Sequence, residues 1–553
     1  MPEGLGITTR RELFGPRRAT MTWARGGALL LIVVAFVGIV ASYGKFIPYW
    51  DARSYYNCVA VAVRKPFDIF NFTCVGHPSI VYLLLLGLTQ YVAPWNVSFM
   101  YAVNAILGVA SIIAFDALLR VLFPGRTATE YALVAALYAL APLFLAHAIF
   151  LNVDYGLTAF FVLFLYFLLA RRFWTAAAAA VAMIFSKETG LAAFAVTVVA
   201  YLVAFTMRTP TSGKERLFEF RRLVPLFLAP IAVAMYIVAF QMFHPTTGSW
   251  AASYVPLAAI RDPVDLVLNM NLADAGMRSF LADIFVLNFQ WLYAGVLVVA
   301  ACAAVLRTAG SKEDRAVPGT GLFLCLVLSG LVYIVTRYRA YNNARYVLAV
   351  SPVLILAFYH ALLSVLTRSA VRRSFLSLAV VLVFLSNFRT LDFVSKSVFG
   401  TFRFGSHELL DMPSLIGGLK QDSTVYNLES LQFNDLLNDM MQDLRPAPYT
   451  TFFMGDTTYN FPPPVDARSY ALTVDPSYAL PISFVSGDAE VTREALRKSG
   501  TREGDRLFYL AFANANNHQL RLLLQLYPLV ETKRYDRHGY AIDVYTFAFT
   551  SPT

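Results

Sequence analysis

Ser79-Ile80-Val81-Tyr82-Leu83-Leu84-Leu85-Leu86-Gly87-Leu88-Thr89-Gln90-Tyr91-Val92-Ala93 is a short apolar run, and whether it crosses a membrane sets the sidedness of every later loop. A helix needs about 20 apolar residues to cross a bilayer, within a range of roughly 17–25. Unambiguous runs occupy 26–43, 98–122, 129–149, 155–170, 190–207, 223–243, 284–306, 319–336, 347–366 and 375–391. The run at 79–93 is short, and Thr175–Phe185 is shorter still. Basic residues arbitrate between the two topologies. If 79–93 crosses from a cytoplasmic N-terminus, Arg171, Arg172 and the cluster Arg208, Lys214, Arg216, Arg221 and Arg222 fall outside. If it lies along the surface, all of these fall inside. So do Arg120, Arg126, Arg307, Lys312, Arg315, Arg368, Arg372 and Arg373. The positive-inside rule favours the second arrangement. The same parity requires Thr175–Phe185 to cross. The sequence therefore predicts a mainly α, polytopic membrane protein with about eleven transmembrane helices, its N-terminus inside and its C-terminus outside.

Composition agrees. Of 553 residues, 58% are hydrophobic and 14% charged, against roughly 25% charged in a soluble domain. Mean hydropathy is +0.57. The net charge of +10 sits mainly in short connections between apolar runs, with no basic-aromatic array, so nucleic acid is not an expected partner. Arg10, Arg11, Arg17, Arg18 and Arg25 precede the first run, which reads as a signal-anchor helix because no clear small-residue cleavage site follows.

From about Ser395 the long apolar runs stop. Residues 1–394 read as the membrane domain, with a first outer loop at 44–97 containing surface-lying helices. Residues 395–553 read as an extracytoplasmic soluble α/β domain. Within it, Ser423–Asn427 and Arg506–Ala513 read as strands, Asn434–Leu444 and His518–Leu526 as helices, and Lys533–Tyr545 as a hairpin. In the 244–283 loop, Val264–Met270 reads as a short surface-lying helix.

The predicted topology collects the remaining ionisable residues on the outer side. Tyr49–Pro78, directly after the first span, carries Asp51, Arg53, Tyr55, Tyr56 and His77. Polar groups near a membrane are costly and usually functional, although a solvated interfacial loop is the plainer reading. Asp51 lies beside aromatic residues and can accept a proton from an attacking hydroxyl. Desolvation would raise its pKa and Arg53 would lower it. Asp154 begins a span, where a first-turn acid is also favourable on structural grounds alone. His77, Lys187, Arg337, Arg339 and Arg345 form an outward cationic set suited to phosphate, though the arginines could simply meet lipid headgroups and Lys187 could pair with Glu188. The two carboxylates can share a divalent cation, but metal-ligand spacing is absent and no cofactor is required. Cys302 and Cys325 lie in apolar runs and read as packing residues. Cys58 and Cys74 lie in the first outer loop and would pair in an oxidising compartment.

Asp51-x-x-x-Tyr55, then His77-Pro78, an outward Asp154 and Arg345-Tyr346 opening a late span are similar in order and sidedness to the integral-membrane C-type glycosyltransferases. Within that superfamily the pattern resembles the protein O-mannosyltransferase and aminoarabinose-transferase branch. Members often continue Asp-Glu and later Lys/His-Pro-Pro, where Ala52 and Ser79 stand here. The resemblance implies a polyprenyl-phosphate-linked sugar donor and an acceptor hydroxyl on a glycan, lipid or protein, at the outer face of the cytoplasmic (inner) membrane. It implies that Asp51 is the general base and that Asp154 orients the acceptor or donor sugar. His77, Lys187 and Arg345 would stabilise the leaving phosphate, with Arg53, Tyr55, Glu188 and Tyr346 completing the substrate site. Two rival classes stay open: a transporter or flippase of lipid-linked sugars, and a non-catalytic subunit of an envelope-assembly complex.

Overall fold

The computed structural model describes residues 23–42, 51–63, 72, 79–93, 97–207, 220–243, 275–306, 317, 319–337, 344–404, 407–410, 436, 439–440, 443–444, 451–454, 483–486, 492–498, 501–512, 518–537 and 540–550. The described chain is mostly helical. It runs through α1 (Trp23–Ser42), α2 (Asp51–Ala62), α3 (Ile80–Val92), α4 (Val97–Leu122), α5 (Ala128–Ala139), α6 (Pro142–Ala148), α7 (Val153–Leu169), α8 (Phe173–Ile184) and α9 (Thr189–Tyr201). There follow α10 (Leu228–Phe243), α11 (Ala275–Phe285), α12 (Gln290–Leu306), α13 (Thr320–Arg337), α14 (Val350–Val365), α15 (Ser369–Leu385) and α16 (Phe393–Phe399).

Every unambiguous apolar run contains a helix, and the departures have local causes. The run at 129–149 bends by 59° between α5 and α6. Pro142 sits in the first turn of α6, where a missing N–H costs nothing but the preceding helix cannot continue. The run at 190–207 is α9 followed by a π-helical turn over Leu202–Met207. The run at 284–306 breaks at Leu287–Phe289, because Asn288 (φ 50°) and Phe289 (φ 67°) adopt the left-handed conformation. That costly geometry is held by Asp392 at the start of α16, which accepts from Phe289 N at 2.6 Å and Trp291 Nε1 at 2.9 Å.

Among the described residues, Ser98–Leu122 and Leu287–Ala304 are long and apolar enough to cross a bilayer, and the bent α5–α6 pair would make a third span. The apolar stretches of the other such helices run to 10–17 residues, as in Gly26–Ser42 of α1 and Thr320–Thr336 of α13. The outside of the bundle is nevertheless oily: Leu31 is 71% exposed, Ile106 68% and Met235 68%. Lipid accepts such a surface, whereas water does not. Cys302 and Cys325 belong to it. Both are exposed free thiols on α12 and α13, which corrects their reading as packing residues. The apolar pattern marks the helix but not which face of it turns inward.

α3, the short run on which the topology turns, packs against α4, α7 and α8. Tyr82, Leu83 and Leu86 are fully buried, while Leu88, Tyr91 and Val92 are exposed. Gly156 of α7 permits this approach, since a Cβ there would stand 2.7 Å from the Tyr82 ring.

The C-terminal part is α/β. β1 (Thr401–Phe404) and β2 (His407–Leu410) form a hairpin. β3 (Thr451–Met454), β4 (Ser483–Ser486), β5 (Arg506–Phe512), β6 (Leu529–Arg537) and β7 (Tyr540–Ala548) form a sheet in the order β4-β3-β5-β7-β6. β4, β3 and β5 are parallel, and β7 is antiparallel to β5 and β6. Strand alternation splits its apolar residues between two faces. Leu507, Tyr509 and Phe547 pack with Leu496 of α17 (Arg493–Lys498) and Leu523 of α18 (His518–Leu526). Phe508, Leu510, Ile542 and Val544 belong to a core continuous with the bundle, which also contains Leu436 and Met440. The expected strand at 506–513, helix at 518–526 and hairpin at 533–545 are present, and the described residues of 434–444 are helical. The expected elements at 264–270 and 423–427 lie outside the described residues.

Candidate functional site

α7 and α8 form a tight antiparallel pair, joined by a turn in which Arg171 is left-handed (φ 61°). At 1.5 Å per residue, α7 rises roughly 25 Å and α8 returns roughly 18 Å, so the start of α7 and the turn after α8 meet at one end. That end carries Asp154 and Lys187. The next helix, α9, begins almost on top of α8. A Cβ on Gly190 would lie 2.8 Å from Met183 O, so only glycine allows this reversal.

Asp154 occupies the first turn of α7, where the helix dipole favours a carboxylate. The N-cap is Asn152, whose Oδ1 accepts from Asp154 N at 2.8 Å. The Asp154 carboxylate is thus free of capping duty and faces two cations. Lys187 Nζ donates to Oδ1 at 2.7 Å, and Arg345 Nε lies 3.9 Å from Oδ2. Arg345 comes from a 3-10 turn, Ala344–Val347, that opens α14. The neighbouring Tyr346 ring lies 4.5 Å from Lys187 Nζ and 5.2 Å from Arg345 Cζ, within cation–π range of both. The Asp154 and Lys187 side chains are 8% and 3% exposed, so the pair is desolvated and breaking either half is expensive.

A cleft opens beside this cluster. One end is polar, with Asp154, Arg345, Tyr346 and the hydroxyls of Thr158 and Thr189. Its other walls are apolar, including Leu157, Leu331 and Val335. Lys187 is not among the lining residues. A charged cluster set among apolar walls suits a ligand with a charged head and an apolar body.

A buried hydrogen-bond knot fixes the start of α7. Asn104, in the middle of α4, accepts from Tyr82 Oη at 2.8 Å and donates to the carbonyls of Ala148 and Phe150 at 3.0 and 3.2 Å. Its own carbonyl accepts from Tyr155 Oη at 2.9 Å. The chain around Asp154 is thereby tied to α3 and α4. The sequence reading passed over Asn104, and also His147, which is fully buried on α6 against the Ala344–Val347 turn. A polar side chain within an apolar run was the available signal for both.

The structure brings four sequence-predicted residues together: Asp154, Lys187, Arg345 and Tyr346. Glu188, 4% exposed, follows Lys187 in the turn. Tyr55 is buried on α2 and does not line the cleft. Asp51 is the first residue of α2, but its side chain and those of Arg53 and Arg337 lie outside the described set, as do residues His77, Cys74 and Arg339. Cys58 is disulfide-bonded. Among the described residues no group of three or more His, Cys, Asp or Glu is placed to hold a metal ion.

The chain superposes on the crystal structure of ArnT from Cupriavidus metallidurans bound to undecaprenyl phosphate, covering 95% of this chain and 99% of that one, with a TM-score of 0.50 and 14% identity. The chain has the ArnT fold. The apo form of ArnT gives the same score over 96% of this chain and 100% of that one. The archaeal oligosaccharyltransferase AglB from Archaeoglobus fulgidus, in complex with an inhibitory peptide and a dolichol-phosphate, is more distant, at a TM-score of 0.42 and 13% identity over 96% of this chain and 74% of that one. No protein-family model and no curated protein matches the sequence.

Proposed function

We propose that the protein is an inverting glycosyltransferase of the cytoplasmic membrane, taking a sugar from a polyprenyl monophosphate to an acceptor hydroxyl on the outer face. The supporting observation is the Asp154–Lys187–Arg345–Tyr346 cluster at the polar end of an otherwise apolar cleft. A polyprenyl-phosphate sugar has that polarity, with an anionic head and a long hydrocarbon tail. The ArnT fold, in a neighbour bound to undecaprenyl phosphate, supports the same donor class.

In this reading the acceptor oxygen attacks the anomeric carbon opposite the phosphate, forming the new C–O bond as the sugar–phosphate bond breaks. Asp51 takes the hydroxyl proton. Polyprenyl monophosphate leaves with one more negative charge, offset by Arg345 and His77. Asp154 holds a hydroxyl of the acceptor or donor sugar. The bundle crosses about eleven times, with the N-terminus inside and residues 395–553 outside.

The test is sugar release from defined polyprenyl-phosphate sugars by purified protein in liposomes. Loss of a general base costs about 10²–10⁴ in rate, so Asp51→Asn should nearly abolish transfer while folding normally. Wild-type turnover by that variant would remove Asp51 from the chemistry. Donor movement across the bilayer without any sugar release would favour a flippase.

A further inference from the structure

Lys187 carries the cation nearest Asp154, yet it stands behind the cleft. Its side chain is 3% exposed, its ammonium is 2.7 Å from Asp154 Oδ1, and the cleft is lined by Asp154, Arg345 and Tyr346 without it. A phosphate ligand must reach the phosphate. We propose that Lys187 is a positioning residue that acts through Asp154, holding that carboxylate in place at the cleft, while Arg345 is the cation presented to the phosphate. The inference rests on the glycosyltransferase reading and reassigns one residue within it.

The backbone keeps Lys187 in this place. The turn after α8 is bound to it, with Lys187 N donating to Met183 O at 3.3 Å and Gly190 N donating to Lys187 O at 2.9 Å. The ammonium lies between the Asp154 carboxylate and the Tyr346 ring, so moving it toward a substrate would break two contacts made in a dry environment. Arg345, unlike Lys187, lines the cleft, and it approaches Asp154 at 3.9 Å through Nε. Its Nη2 donates to Tyr346 Oη at 3.4 Å.

Breaking one half of a buried ion pair leaves the other charge uncompensated, so each side chain holds the other in place. Among the described residues, Arg345 and Tyr346 on the Ala344–Val347 turn also face the pair.

The test compares the full-length wild type with Lys187→Met, Lys187→Arg, Asp154→Asn and the Asp154→Asn/Lys187→Met double variant in liposomes. A misplaced group costs about 10²-fold in rate, so Lys187→Met should lower kcat roughly 10–100-fold. Donor KM should stay within about threefold, Lys187→Arg should restore most of kcat, and the double variant should lose no more than Asp154→Asn alone. A donor KM raised about tenfold or more with kcat unmoved would make Lys187 a phosphate ligand and overturn the inference. Undecaprenyl phosphate affinity, read by thermal shift, decides the point independently of turnover: unchanged in Lys187→Met supports positioning, and about tenfold weaker overturns it. If the wild type releases no sugar from any donor, the glycosyltransferase reading fails, and the affinity arm still decides where Lys187 acts.

Discussion

Arg372→Met should be among the most destabilising single changes in the bundle. Arg372 lies in the first turn of α15 and reaches Glu130 in the first turn of α5, with Nε and Nη2 donating to Oε1 at 2.9 and 2.6 Å. The side chains are 4% and 1% exposed. Tyr359 Oη donates to the other Glu130 oxygen at 3.3 Å, and Arg372 Nη1 donates to Leu366 O at 2.7 Å. Methionine fills similar space but takes away both hydrogen bonds and the charge that Arg372 brings to the buried carboxylate. Removing one half of a buried pair costs about 3–5 kcal/mol, roughly 10²–10⁴ in the folded-to-unfolded ratio. Glu130→Gln/Arg372→Met removes both charges and keeps an acceptor for Tyr359, so it should recover most of that loss. The assay is reversible unfolding in mixed micelles titrated with SDS. The pair is separated from Asp154 by the whole α5–α6 stretch, so turnover per folded molecule should stay near wild type. Arg372→Met within about 1 kcal/mol of wild type would refute the reasoning, as would a double variant no more stable than the single one.

Two further expectations concern the first outer loop. With Cys58 disulfide-bonded and Cys302 and Cys325 free, we propose Cys74 as its partner; non-reducing mass spectrometry should find the Cys58–Cys74 crosslinked peptide, and two free thiols there would remove the pairing. If 79–93 lies on the outer side, a reporter fused near Trp95 should give a periplasmic signal, whereas a cytoplasmic one would reverse every later loop.

Helix positions were legible in the sequence because an apolar run long enough to matter has no alternative to helix in lipid. At Thr175–Phe185 charge parity asked for a membrane crossing, and the structure has the helix α8 over Phe173–Ile184. Side-chain partnerships were less legible. Arg372 reads as one more topogenic charge, yet it is buried against Glu130, 242 positions away. Asp154 reads equally as a cap or a site residue, and only the structure gives the cap to Asn152 and the carboxylate to Lys187. Asn104 was missed because one amide barely lowers the hydropathy of the long helix α4.

Composition draws the boundary between the two parts of the chain near residue 395, but the hydrogen bonds draw it later. Asp392 also accepts from Val394 N and Ser395 N, and Ser395 Oγ accepts from Asn288 N. Glu408 of β2 is then held by Lys396 at 2.7 Å and Thr401 at 2.9 Å. In engineering terms, the root of the C-terminal part is a structural component of the bundle. A cut at residue 395 would remove Ser395 Oγ, which accepts from Asn288 N, and the helical turn that Asp392 caps. Any module exchanged onto this scaffold has to inherit the native chain through β2.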